Sequence, residues 1–113
     1  MAAERLAGAG RKVVIAEAKP SAGRKFLMAG KSGLNLTKDE AFDRFLAAYG
    51  NAAGWLAPML REMGPQDVKS FAEGLDQPVF TGSSGRVFPK AMKASPLLRS
   101  WLRRIPAEMR LGW

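Results

Sequence analysis

The sequence predicts a mixed α/β fold, and three observations predict it. Residues 2–7, AAERLA, are strong helix formers with Gly8 and Gly10 behind them to stop the helix. Residues 12–16, KVVIA, form a short β-branched run suited to a buried parallel strand. Val79–Thr81 and Arg86–Phe88 flank Gly82-Ser83-Ser84-Gly85, the pattern of a β-hairpin. Helix, tight glycine turn and strand in that order make the second half of a βαβ unit. Its first half, a strand and a turn, would lie before Met1.

The remaining elements follow from apolar spacing. Residues 23–29 suit a short helical turn, and Gly30 to Asn35 a loop. Thr37-Lys38-Asp39-Glu40 has the form of a capping box, with Thr37 as N-cap and Glu40 at N3. Three helices then carry one apolar stripe each. Phe42 is grouped with Phe45, Leu46 and Tyr49, Trp55 with Leu56, Met59 and Leu60, and Leu97 with Leu98, Trp101, Leu102 and Ile105. Core packing explains all three stripes, with ligand stacking by Trp55 or Trp101 as the alternative. Pro65 opens another short helix in which Val68, Phe71, Ala72 and Leu75 share a face. Ser95-Pro96 reads as N-cap and N1 of the last helix, and the chain ends soon after it at Trp113.

Composition excludes several chemistries. The chain has 113 residues, enough for one domain with a modest core. Apolar residues make up 47% and charged residues 25%, which is ordinary globular usage. There is neither Cys nor His, so disulfides, thiolate or imidazole metal sites and Ser-His or Cys-His machinery are excluded within these residues. No apolar run approaches the roughly 18 residues of a membrane span, and no signal-like segment opens the chain. A cytoplasmic protein without a membrane partner is the expectation. Net charge is +8, from 18 basic and 10 acidic residues. That balance suits a polyanionic partner, such as nucleic acid or a phosphorylated cofactor, or simply a solvated basic surface.

The residues that carry chemistry cluster between Val13 and Lys38. Glu17 ends the strand, where an acidic residue accepts hydrogen bonds from the vicinal hydroxyls of a ribose. The alternative is a surface carboxylate in a turn. Gly23-Arg24-Lys25 pairs a close backbone approach with a bidentate phosphate fork, or else is a basic loop in water. Gly30-Lys31-Ser32-Gly33 superficially has the form of a P-loop. The G-x-x-x-x-G-K-[ST] order requires a glycine where Lys25 stands, so an ATPase is rejected. Asn35 and Thr37 close the loop and offer hydrogen bonds to a ring or a polyol, and Thr37 also serves the cap.

Taken together these residues resemble a known family. Glu17, Gly23-Arg24-Lys25, the apolar Phe26-Leu27-Met28, Gly30 with Gly33, and Asn35-Leu36-Thr37 follow the pattern of bacterial NAD(P)/FAD-dependent oxidoreductases of the aminoacetone-oxidase-like, BaiN-like kind. A second block, Gly85-Arg86-Val87-Phe88-Pro89 with Lys93-Ala94, agrees in the same order. The resemblance implies a partial Rossmann-like FAD-binding domain with a helical segment and a β-hairpin. It implies FAD as cofactor, with Glu17 on the adenosine ribose and Gly23, Arg24 and Lys25 along the adenosine and pyrophosphate. Gly30, Gly33, Asn35 and Thr37 would line the ribityl and isoalloxazine side. A small-molecule substrate and NAD(P)H are the implied partners of the intact protein. Many relatives carry Arg-Cys where this chain has Gly33-Leu34, so any role of that Cys is absent.

The chain departs from the family by lacking G-x-G-x-x-G and the inserted substrate domain. Residues 1–6 look like the middle of the first Rossmann helix. The expectation is a single partial domain over residues 1–113. It comprises a nucleotide-binding remnant (1–38), a helical segment (39–75), a hairpin (78–89) and a last helix (95–105). Such a fragment, from an internal start or a disrupted gene, is expected to bind FAD weakly and to be inactive alone, and no catalytic residue is assigned. The alternative function is a non-catalytic basic helical module that binds nucleic acid or a protein.

Overall fold

The computed structural model describes residues 1–113. Helix α1, Ala2–Gly8, gives way to Ala9 and then Gly10, whose φ of +76° is a left-handed turn that glycine adopts without strain. Strand β1 follows at Val14–Glu17. Gly23, also left-handed at φ +71°, leads into helix α2, Arg24–Ala29. Strand β2 is the short pair Thr37–Lys38. Helix α3, Phe42–Ala47, a 3₁₀ turn at Gly50–Ala52 and helix α4, Ala53–Glu62, come next. Helix α5, Pro65–Glu73, begins with proline at its first position. There Asp67 reaches back to accept the Gly64 N–H at 2.9 Å.

Strands β3, Val79–Thr81, and β4, Arg86–Pro89, form the expected antiparallel hairpin. Phe80 lies opposite Phe88 with ring centroids 5.8 Å apart. Strand β2 adds to the other side of β4, giving the order β2-β4-β3. Helix α6, Ala94–Arg104, leads to strand β5, Glu108–Leu111. Strand β5 pairs with β1 in parallel, from Val14 opposite Glu108 to Glu17 opposite Leu111. The fold is therefore α/β, with a two-stranded parallel sheet and a three-stranded antiparallel one joined by α6.

Four local expectations are corrected. Thr37 is not a helix cap: it pairs with Val87 in β2, and α3 starts at Phe42 behind Ala41 with no side-chain cap. A β-branched residue beside a bonded extended segment (Leu36 N–H donates to Val87 C=O at 2.9 Å) gains more from the ladder. Helix α6 starts one residue before Ser95, behind Lys93, and Pro96 falls in the first turn, where its missing N–H has no partner to lose. Trp55 is 72% exposed on α4 and takes no part in the core. Beyond α6 the chain adds β5, an element that the apolar spacing does not announce. Strand β1 is also less covered than a buried strand should be, with Val14 45% exposed.

The core is small. Leu34, Ala72, Leu75, Ala94 and Leu97 form its buried cluster, with Phe26, Leu27, Leu36, Phe71, Val79 and Trp101 packed around it. It lies where α2, α5 and α6 meet the three-stranded sheet. The chain exposes 7716 Å², against roughly 6,100 Å² for a compact monomer of its mass. Its radius of gyration is 15.4 Å, against roughly 13 Å for a compact domain of this length.

Helices α2 and α6 pack at glycine distance. A Cβ on Gly30 would lie 2.5 Å from the Ala94 Cβ, and one on Gly23 would lie 2.5 Å from the Leu98 Cδ2. Gly30→Ala is therefore expected to cost about 2 kcal/mol through overpacking. Urea denaturation checks this, and Ala94→Gly in the same background should recover part of the loss. Unchanged stability in Gly30→Ala would mean the helices do not approach this closely.

Candidate functional site

The sequence-selected residues fall into two groups. Glu17 ends β1 on the same face as Ile15, and its Oε1 accepts the Lys19 N–H at 2.9 Å. No protein donor meets its Oε2. Glu17, Ala22 and Gly23 share one wall of an open cavity of about 320 Å³. Ile15, Leu98, Trp101, Leu102, Ile105 and Met109 supply most of the rest. Small-ligand clefts run from roughly 300 to 1,000 Å³, mostly apolar with few polar groups, and this one has that make-up.

Trp101 is oriented on the cavity wall by its neighbours. Its Nε1–H donates to Glu4 Oε2 at 2.9 Å, and its ring meets Phe71 edge to face at 5.2 Å. Arg104 Nε donates to Glu4 Oε1 at 2.7 Å, and its guanidinium lies 5.1 Å from the Phe71 ring centroid. Partial burial pushes the Glu4 carboxyl up, but the hydrogen bonds from Trp101 and Arg104 and the Arg104 charge outweigh it. The net effect holds Glu4 below its ordinary 4.5.

Gly23, Gly30 and Gly33 have structural work. Leu98 stands where a Gly23 side chain would go, Ala94 where a Gly30 one would, and the Met92 Cε lies 3.0 Å from a Gly33 Cβ. Arg24 Nε donates to Ser21 Oγ at 2.8 Å, and its guanidinium remains exposed. Lys25 and Asn35 are exposed, while Thr37 is half-buried in β2. Glu17 and Gly23 are thus brought together, with Arg24 next in the chain. Gly30, Gly33, Asn35 and Thr37 belong to the far end of α2 and its loop. The arrangement fits the adenosine end of a dinucleotide: a carboxylate oxygen available to a diol, beside an apolar cleft. It does not assemble a pyrophosphate cradle, because the α2 glycines are already covered by α6.

A second carboxylate hub lies away from the cleft. Asp39 accepts from Lys69 Nζ at 3.0 Å, Thr81 Oγ1 at 3.1 Å and Gln66 Nε2 at 3.1 Å. The Lys69 and Thr81 hydrogen bonds hold it below its ordinary 3.8. It ties α5 and β3 to the end of β2 and faces no cavity wall. No cluster of acidic side chains is arranged to hold a metal.

The HI0933-like protein Rossmann domain matches residues 1–110. The chain belongs to this family. It is a family of FAD-dependent oxidoreductases, so the parallel β1–β5 pair and the acidic residue closing β1 belong to a flavoprotein-type Rossmann domain. No curated protein matches the chain. No helix is long and apolar enough to cross a membrane.

Sequence reasoning missed much of the cleft in this Rossmann domain. Met109 lies on β5, whose only local signal is the alternation Glu108-Met109-Arg110-Leu111 after Pro106. Glu4 gave no signal, since its partners Trp101 and Arg104 are some hundred residues away.

Because folding lowers the Glu4 value, its stabilisation is complete above pH 4.5 and is lost as pH falls through the lowered folded value. Thermal melting from neutral pH downward should therefore decline less steeply in Glu4→Gln than in the unmodified chain. Equal slopes would mean that the Glu4–Trp101–Arg104 tie does not form.

Proposed function

We propose that this chain is the adenosine-holding part of an FAD-binding domain, from an oxidoreductase that these 113 residues do not complete. The carrying observation is Glu17, which closes a parallel strand with one carboxylate oxygen unpartnered at an apolar cleft. Glu17 accepts the adenosine ribose hydroxyls, and Trp101 with Leu98 and Leu102 keeps water from the base. Arg24 and Lys25 lie toward the pyrophosphate. Asn35 and Thr37 lie toward the ribityl and isoalloxazine side, while Gly30 and Gly33, packed under Ala94 and Met92, serve the fold. FAD, when bound, would exchange hydride with an organic substrate or with nicotinamide. The chain's own contribution is binding and orientation, and no side chain is assigned to proton transfer.

The pyrophosphate of a dinucleotide normally rests on glycine amides at a helix N-terminus. Those amides are not assembled here, so the chain binds FAD weakly and does not turn over alone. AMP and FAD titrated against tryptophan fluorescence should both saturate, with Kd near about 1 mM. Glu17→Ala should weaken AMP by roughly tenfold, the loss of hydrogen bonds to a charged acceptor. An unsaturable response to AMP would overturn the reading, and flavin retained through desalting would overturn the weak affinity.

A second reading rests on Arg99 and Arg103, exposed on one face of α6, in a chain of net charge +8. It makes the chain a basic module for nucleic acid. Steeply salt-dependent DNA binding without an AMP response would favour it.

A further inference from the structure

The antiparallel sheet has two unlike faces. Val87 and Pro89 on β4 are fully buried. Arg86 and Phe88 alternate with them and stand on the opposite face. Across the ladder Lys38 lies opposite Arg86, and Phe80 lies opposite Phe88. Paired residues share a face, so two cations and two aromatic rings meet there. Arg86, Lys38 and Phe80 are exposed. Met92 joins them beside Phe88. Its Cε lies 3.0 Å, and the Phe88 Cε1 3.9 Å, from the place of a Gly33 Cβ.

Two features of this face oppose folding. Like charges directly opposite in a ladder repel, and Arg86 is paired with Lys38. Met92 holds a φ of +60°, a left-handed conformation that is costly for a residue with a long side chain. The Leu34 N–H, donated to the Met92 C=O at 2.9 Å, keeps it there. The ion pairs of the chain join Lys38 to Glu40, Lys69 to Asp39, Arg104 to Glu4 and Arg110 to Glu108, and none reaches Arg86. Glu40 offsets Lys38 at 3.4 Å, which leaves one uncompensated positive charge beside the rings. Local rules are broken in this way where a surface serves a ligand.

We propose that this face binds a small planar organic anion, in its simplest form an aromatic carboxylate. The carboxylate takes the Arg86 fork, which can bind both of its oxygens, with Lys38 alongside. The ring of the ligand lies against Phe80 and Phe88, and the Met92 thioether meets its edge. One uncompensated charge next to an apolar surface matches one carboxylate on an apolar body better than a run of phosphates. The site lies apart from Glu17 and its cleft, and it stands independently of the adenosine reading.

Amide NMR of this chain titrated with 2-naphthoate tests the proposal. The amides of Lys38, Phe80, Arg86 and Phe88 should shift and saturate, with Kd about 1 mM for so small a ligand. The neutral isostere 2-naphthamide should bind about tenfold more weakly, and so should 2-naphthoate to Arg86→Gln. Phe80→Ala should weaken binding about fivefold. Lys90→Gln, in the turn beyond β4, should change the affinity by less than about twofold, since one charge is enough for one carboxylate. Arg86→Gln should melt no lower than the unmodified chain, because it removes the repulsion from Lys38. A lower melting temperature would mean that Arg86 serves the fold, and would overturn the proposal. So would equal binding of acid and amide, or shifts confined to Ile15, Leu98 and Trp101 around the apolar cleft. A short oligothymidylate that shifts the same amides at more than about tenfold higher affinity, and weakens in Lys90→Gln, would give the face to single-stranded nucleic acid instead. AMP titrated in the same way reports on Glu17, so the two sites fail separately.

Discussion

The close contact between α2 and α6 is what the rest of the molecule depends on. Gly23 and Gly30 let the two helices approach to the distance of a missing side chain. That contact fixes α6 as the beam between two sheets that do not touch through their own strands. On one side Ala94 and Leu97 enter the cluster with Ala72, Leu75 and Leu34. On the other, Leu98 and Leu102 turn toward β1 and β5. Helix α6 gains stability from both faces, while the parallel sheet has a helical cover on one face alone.

This arrangement divides the molecule energetically. The antiparallel sheet, α5 and α6 hold most of the buried residues and the Asp39 hub. The parallel pair is held by its ladder and by partial cover from α6, which the Glu4 tie to Trp101 and Arg104 joins to α1. Apolar burial is the dominant stabilising term, so the parallel pair is the less stable half. It is also the half that carries Glu17. A nucleotide would supply apolar contact that this half lacks, by filling the cleft.

The conflict over the glycines is instructive. Spacing made Gly23, Gly30 and Gly33 candidates for contact with a cofactor, because glycine permits close backbone approach. The close approach is real, but Leu98, Ala94 and Met92 make it. A sequence records that a side chain is not tolerated at a position, and not what occupies the space. The same limit applies to Trp55 and Trp101. Both sit in apolar stripes at helical spacing, yet Trp55 faces water and Trp101 is anchored by Glu4. Periodicity marks a face of a helix without saying whether another element comes to cover it.

What the sequence determined by itself is local. The helix over residues 2–8, the strand closing on Glu17, the turn at Gly82–Gly85 between β3 and β4, and Pro65 opening α5 follow from propensity, β-branching and turn chemistry within a few residues. The family was legible there too, because its acidic and glycine positions lie in one short run. Tertiary structure decided whatever needed a distant partner. Strand β5 exists because β1 offers it a ladder across nearly a hundred residues, and Thr37 is a strand residue because Val87 pairs with it. Such contacts form only when the gain in burial and bonding exceeds the entropy of closing the intervening chain. That balance belongs to the whole fold and to no window of sequence.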